Sequence, residues 1–237
     1  MTLVFHERVG LGERRISPFS WRIRYAFAHK GLDPRVVPTR FADVARIRGL
    51  SGQHMVPILE DDGIVVHDSW AIACHLEDRY PERPSLFGGE TGRGAARLVN
   101  SWADLMLLRP LRQQIYADFI WCIDPGDRAY FRDSREAQLG MTLEAYCAGR
   151  DAVLPALHEA CAPLERTLSA QPYLGGDGPA YVDYAVFSAF QWARIGSPRD
   201  VLAGATQLDA VRNWRGRMVG LYGGLGDRYG HYPKELR

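Results

Sequence analysis

The chain has 237 residues, enough to bury a core in one large domain or two small ones without disulfide or metal staples. Its 29 basic and 28 acidic residues leave a formal net charge of +1, so no excess of either sign points to nucleic acid or to an acidic tail. No apolar run approaches the ~20 residues of a membrane span, no N-terminal signal core is visible, and Cys74, Cys122, Cys147 and Cys161 have neither metal-ligand nor disulfide spacing. The expectation is a cytoplasmic protein with no metal and no membrane or nucleic-acid partner.

Residues 2–5 are short and apolar, as a buried strand requires. Residues 6–15, with two glycines and several charges, predict a loop. Pro18 suits the first turn of a helix, where its missing N–H costs nothing, and Trp21, Tyr25 and Ala28 give that helix an apolar face up to Lys30. Gly31 ends it. Residues 35–38, 56–60 and 64–67 read as further strands, with a short helix over 41–48 and a turn at Asp61-Asp62-Gly63. Asp68-Ser69 caps a helix over 70–80. The order to this point is β-α-β-α-β-β-α.

Residues 81–92 carry prolines, glycines and charges and predict a linker. Strand signals then nearly vanish. Residues 93–123 predict one long helix that Pro110 kinks or breaks, and 128–137 a charged, partly helical piece. A single amphipathic helix is expected over 152–170, a strongly apolar one over 181–195 and another over 208–219, with a glycine-rich tail from 220. Two units result: an α/β unit over 1–84 and an all-α unit over 92–237.

Ile16-Ser17-Pro18-Phe19-Ser20-Trp21 places two hydroxyls at a helix start, where unpaired N–H groups and a partial positive charge suit an anion. Ser17 also fits an ordinary N-cap. The α/β order with Ser17 at that point, Met55-Val56-Pro57, Asp68-Ser69, Tyr80-Pro81-Glu82-Arg83-Pro84-Ser85-Leu86-Phe87, and Tyr173-Leu174-Gly175-Gly176 followed by Tyr181-Val182-Asp183-Tyr184 together resemble the glutathione transferases over nearly the whole chain. Ile16-Ser17-Pro18, Trp21-Arg22, His29-Lys30-Gly31, Asp68-Ser69-Trp70, Phe131-Arg132 with Ser134-Arg135-Glu136, Ala148-Gly149-Arg150 and Gly224-Leu225-Gly226 resemble the bacterial β-etherases that cleave lignin aryl ethers and their fungal etherase-like relatives.

The resemblance implies a thioredoxin-like α/β domain that binds glutathione and an all-helical domain that holds an apolar second substrate. It assigns the glutathione thiolate to a donated hydroxyl from Ser17, with Ser20 or the backbone amides as rival donors. Thiols of this kind have a pKa of ~8.5, and a hydroxyl plus a helix N-terminus lowers it. Val56-Pro57, with a cis bond, would offer the Val56 backbone to the peptide. Asp68 and Ser69 would take the γ-glutamyl end. Met55 stands where the family often has a basic residue or Gln, so Gln53 or His54 is expected to cover. Trp102, Met106, Tyr116, Phe119 and Trp121 are candidates for the hydrophobic pocket. Ala180 stands where Ser or Thr is usual, three residues before Asp183, leaving half a capping box. A homodimer is expected. The alternative is a non-catalytic carrier of apolar aromatics that keeps glutathione only as a ligand. A thiol–disulfide role wants a cysteine where Ser17 stands.

Overall fold

The computed structural model describes residues 2–232; the end of the expected glycine-rich tail lies outside them. Four strands form one mixed sheet in the order β2-β1-β3-β4: β1 (Leu3–Arg8), β2 (Arg35–Thr39), β3 (Ile58–Asp61) and β4 (Ile64–His67). β1 runs parallel to β2 and antiparallel to β3, which pairs antiparallel with β4. Three helices accompany them: α1 (Pro18–Lys30), α2 (Val44–Ser51) and α3 (Ser69–Arg79). Phe5 meets Phe27 of α1 ring to edge, whereas the next residue, His6, bonds to Arg46 of α2. Alternation along a strand therefore puts α1 and α2 on opposite faces of the sheet.

β1 runs three residues beyond the apolar run that predicts it. His6, Glu7 and Arg8 are polar yet buried because each finds a partner from afar: His6 pairs with Glu60, Glu7 sits between Arg15 and Arg24, and Arg8 donates to the Arg40 carbonyl. β3 begins at Ile58 rather than Val56, since the preceding Pro57 has no N–H for a ladder; the Val56–Pro57 bond is cis.

The second domain is helical: α4 (Glu90–Trp102), α5 (Arg109–Phe119), α6 (Arg128–Leu139), α7 (Leu143–Cys147), α8 (Arg150–Ala160), α9 (Ala162–Leu168), α10 (Tyr181–Gly196) and α11 (Asp209–Gly224, with non-helical backbone from Leu221 to Gly223). Pro110 does not break the long helix. A wider π turn over Ala103–Leu108 carries α4 into α5 and places Pro110 in the first turn after it, where its missing N–H is tolerated. The helix expected over 152–170 is instead two. Cys161 bonds back to Leu157 and His158, and Pro163 cannot continue the ladder. α7 has no counterpart among the predicted elements; it is a five-residue helix capped by Thr142.

The linker is pinned rather than loose. Leu86 and Phe87 are buried, Phe87 packs on Trp70 and Tyr181, and Lys30 reaches the carbonyls of Tyr80 and Pro84. Arg22 clamps the domains from α1. It is buried and donates to Ser188 (3.1 Å) on α10, Asn100 (2.9 Å) on α4 and Asp104 (2.5 Å). The missing half of the Asp183 capping box is offset by tertiary contacts. Asp183 accepts from Ala180 N (3.0 Å), Leu174 N (2.8 Å), Gly175 N (2.9 Å) and Trp214 Nε1 (2.8 Å).

Gly196, at the end of α10, is required by close approach. A Cβ there would lie 2.6 Å from Phe119 Cδ2 and 2.9 Å from Ile115 Cδ1. Gly196→Ala should lower unfolding free energy by ~1–3 kcal/mol, the usual cost of overpacking, as read by chemical denaturation. An unchanged midpoint would contradict that fit.

Candidate active site between the two domains

One end of the sheet gathers the site. Arg8 ends β1 there. The pairing of Ile58 with His67 sets Pro57 beside Asp68, and both α1 and α3 begin there. Ser17 is the N-cap of α1, in extended backbone, and its Oγ accepts from Ser20 N at 3.2 Å. Trp21 N bonds to the Ser17 carbonyl at 3.2 Å, and Pro18 has no N–H. Among the described residues, the first turn of α1 thus keeps one unpaired amide, that of Phe19. The cap uses the Ser17 oxygen as an acceptor and leaves its proton free to donate. The two roles of Ser17 are compatible.

Ser17 opens on a cavity of about 480 Å³ between the domains. From the α/β side Ile16, Pro18 and Phe19 line it, with Phe41, Arg8 and the segment His54, Met55, Val56. The helical side supplies Leu108, Arg112, Tyr116 and Phe119 from one stripe of the long helix, Phe131, Ser134, Arg135 and Gln138 from α6, and Trp192 from α10. Val56 belongs to no strand, and its backbone N–H and C=O have no hydrogen-bond partner among the described residues.

The sequence-based candidates divide accordingly. Ser17, His54, Met55, Val56, Tyr116 and Phe119 meet at this cavity. Ser20 does not: its side chain is fully buried, and its Oγ lies off the cavity without a partner. Gln53 turns on its own loop, donating to Met55 O (2.7 Å) and Ser51 Oγ (3.1 Å). Trp102 is half-buried and Met106 exposed, neither at the cavity wall. Trp121 is exposed beneath Arg128. Sequence reasoning missed Arg8, Phe41, Arg112, Phe131, Arg135 and Trp192. The spacing 108-112-116-119 is a helical stripe, so a stripe read with its arginine included would have found Arg112.

Asp68 caps α3, its Oδ1 accepting from Trp70 N (2.9 Å) and Ala71 N (3.1 Å). Its backbone has φ 73° and ψ 131°, a conformation that costs a non-glycine residue ~1–3 kcal/mol and is found where a side chain must be aimed. Asp68 is exposed and Ser69 beside it is buried. No cysteine reaches the cavity. Burial pushes the thiols of Cys122 and Cys161 up to about 12 and raises those of Cys74 and Cys147. Among the described residues, no cluster of three His, Cys, Asp or Glu could hold a metal ion, and no helix is long and apolar enough to cross a membrane.

Residues 16–79 match the model of the glutathione S-transferase N-terminal domain, and residues 95–219 that of the glutathione S-transferase C-terminal domain. The chain belongs to the glutathione S-transferase family. Its two halves are the thioredoxin-like and all-helical domains of such a transferase. Among curated relatives, glutathione S-transferase Z1 of Arabidopsis thaliana is 33% identical over 89 residues, 32% of this chain and 39% of that one. The chain spans between 31% and 39% of the length of the curated relatives it matches. Among solved structures, glutathione transferase GSTFuA3 of Phanerochaete chrysosporium aligns with a TM-score of 0.75 and 26% identity, covering 94% of this chain and 92% of that one. The β-etherase LigF of Sphingobium sp. strain SYK-6 shares the transferase fold, with a TM-score of 0.67 and 21% identity over 94% of this chain and 97% of that one.

Proposed function

We propose that this transferase activates glutathione for attack on a hydrophobic electrophile, an aryl ether being the favoured class. The observation that carries the reading is the Ser17 hydroxyl: it faces the cavity at the N-terminus of α1 with its proton free. A thiolate beside it would gain that hydrogen bond and the Phe19 amide, and its pKa would fall. The thiol proton leaves to solvent. Sulfur then bonds to the electrophilic carbon, the carbon–oxygen bond breaks, and the departing oxygen takes a proton. The Val56 backbone would pair with the cysteinyl backbone of glutathione, and Asp68 with its ammonium. The Tyr116, Phe119 and Trp192 rings would hold the second substrate. The aryl ether is supported by the fold shared with the β-etherase and by the motifs shared with that class.

A homodimer is part of this reading. Ile64 and Val65 on β4, and Leu98 and Leu105 on α4 and the π turn, are exposed apolar groups that a second copy would cover. A reducing cytoplasm, which keeps thiols such as the four free cysteines reduced, is the expected compartment.

Asp68 supplies a test of the glutathione site. Asn keeps the cap through its side-chain carbonyl and removes the charge. Asp68→Asn should weaken glutathione binding ~10-fold, the worth of a charge-assisted hydrogen bond, in an equilibrium titration. An unaltered dissociation constant would refute the contact. The reading as a whole is tested by a glutathione-dependent turnover screen across aryl ethers, halides and hydroperoxides. It also requires a thiolate ultraviolet band near neutral pH. Tight binding of apolar aromatics without that band would identify a carrier instead.

A further inference from the structure

Among the described residues, three arginines line the cavity and no Asp or Glu does. Many arginines elsewhere in this chain pair with acids, among them Arg22 with Asp104, Arg132 with Glu144, Arg150 with Asp118 and Arg215 with Asp200. The three at the cavity do not. Among the described residues Arg8 donates only to the Arg40 carbonyl, and it lies over the Phe41 ring at 4.5 Å; Asp43 and Asp127 influence it without bridging to it. Among the described residues Arg135 reaches only Ser134 Oγ at 3.5 Å, and it lies over Phe131 at 5.3 Å. Arg112 has no hydrogen bond or ion pair among the described residues. Its Nε is buried without a partner, and its guanidinium stands 5.7 Å from the Tyr116 ring centre.

Withdrawing charge from water without an ion-pair partner is unfavourable, and around this one aromatic hollow Arg8 is buried and Arg112 and Arg135 are partly buried. Arg8 and Arg135 lie close enough to repel one another. An aromatic wall orients each guanidinium but neutralises none of them. Planar guanidinium forks match a carboxylate in two-point hydrogen bonding better than any neutral group.

From this we infer that the second substrate is an aromatic acid, its ring against Tyr116 and Trp192 and its carboxylate held by Arg112 and Arg135, with Arg8 adding positive potential from the sheet side. The inference rests on the transferase reading for the reaction but not for the binding. It deepens that reading by replacing a merely hydrophobic electrophile with an anionic one.

The test uses a matched pair of aryl chlorides, 4-chloro-3,5-dinitrobenzoate and its carboxamide, with glutathione and the full-length protein. The ratio of their kcat/KM values is measured in wild type and in Arg112→Gln, Arg135→Gln and the corresponding Lys variants. Differences in intrinsic reactivity cancel between variants. Each Gln substitution should lower the acid-to-amide ratio ~10-fold, equivalent to ~1.4 kcal/mol, with the Lys variants between. A ratio that does not move would overturn the inference. So would a loss confined to glutathione affinity, since the arginines would then serve a carboxylate of glutathione.

Binding of unreactive 4-phenylbenzoate and 4-phenylbenzamide, measured calorimetrically without glutathione, separates the two claims. If neither these chlorides nor any compound of the turnover screen is consumed but the acid binds ~10-fold tighter, the transferase reading fails and this one stands. Equal affinities would sink this one, whatever the turnover.

Discussion

Replacing Ser17 by alanine is expected to lower glutathione-dependent turnover ~10- to 100-fold, with a much smaller change in glutathione affinity. The hydroxyl would act on the charge of the sulfur, whereas most of the peptide's contacts would lie at Val56, Asp68 and their neighbours. The thiolate band of bound glutathione should move to higher pH in the variant, toward the ~8.5 of a free thiol, because the group that favoured the charged form is gone. Ser17→Ala also removes the cap bond to Ser20 N, worth ~1 kcal/mol of stability, so a small fall in melting temperature is expected beside the kinetic effect. Ser17→Thr keeps the hydroxyl and serves as the control; it should retain most of the activity if donation is what matters. Full turnover in Ser17→Ala would transfer the role to the Phe19 amide and to the Ser20 amide that the substitution frees. The Ser20 side chain is a poor substitute, being sealed away from the cavity.

The largest loss of stability is expected at Asp183. Its carboxylate is buried and gathers four N–H groups from three parts of the chain: the loop at 174–175, the start of α10, and Trp214 on α11. Burial pushes its pKa up, while the four donors oppose that shift by favouring the ionised form. Alanine would strand all four donors in a site from which water is excluded, and each buried orphan costs ~1–3 kcal/mol. Relaxation lets some of them find other partners, so Asp183→Ala should cost ~3–5 kcal/mol in a chemical denaturation experiment. Asparagine is not expected to rescue it, because one of its two polar atoms is a donor facing donors. Trp214→Phe removes a single N–H and should cost far less. A loss below ~1 kcal/mol in Asp183→Ala would mean that the loop and helix hold together by packing alone.

What was legible and what was not divides along the range of the interactions. The start of α1 at a hydroxyl and proline, the β3–β4 hairpin, the Asp68 cap and the apolar α10 are each decided within a few neighbouring residues, and all appear where the sequence predicts them. The extent of β1 was hidden because His6, Glu7 and Arg8 look like a loop until their distant partners are in place. Pro110 and Pro163 carry the same local signal and have different outcomes. One is absorbed by a π turn and the other falls where two helices meet, and the packing of each helix decides which.

By itself the sequence determined the two-part architecture, the order of strands and helices through the first domain, and a hydroxyl at a helix start suited to an anion, because these follow from periodicity and capping over short windows. Tertiary structure alone decided which side chains face the cavity. Trp102 and Met106 share a helix run with Tyr116 and Phe119, yet only the stripe through Leu108, Arg112, Tyr116 and Phe119 turns toward Ser17. It alone also showed three arginines meeting at one cavity with no acid among the described residues that line it. Arg8, Arg112 and Arg135 stand apart in the chain, and nothing in their local sequence tells a solvated arginine from one left unpaired at the wall of a cavity. Whether a charge is paired depends on what the fold brings within a few ångströms of it.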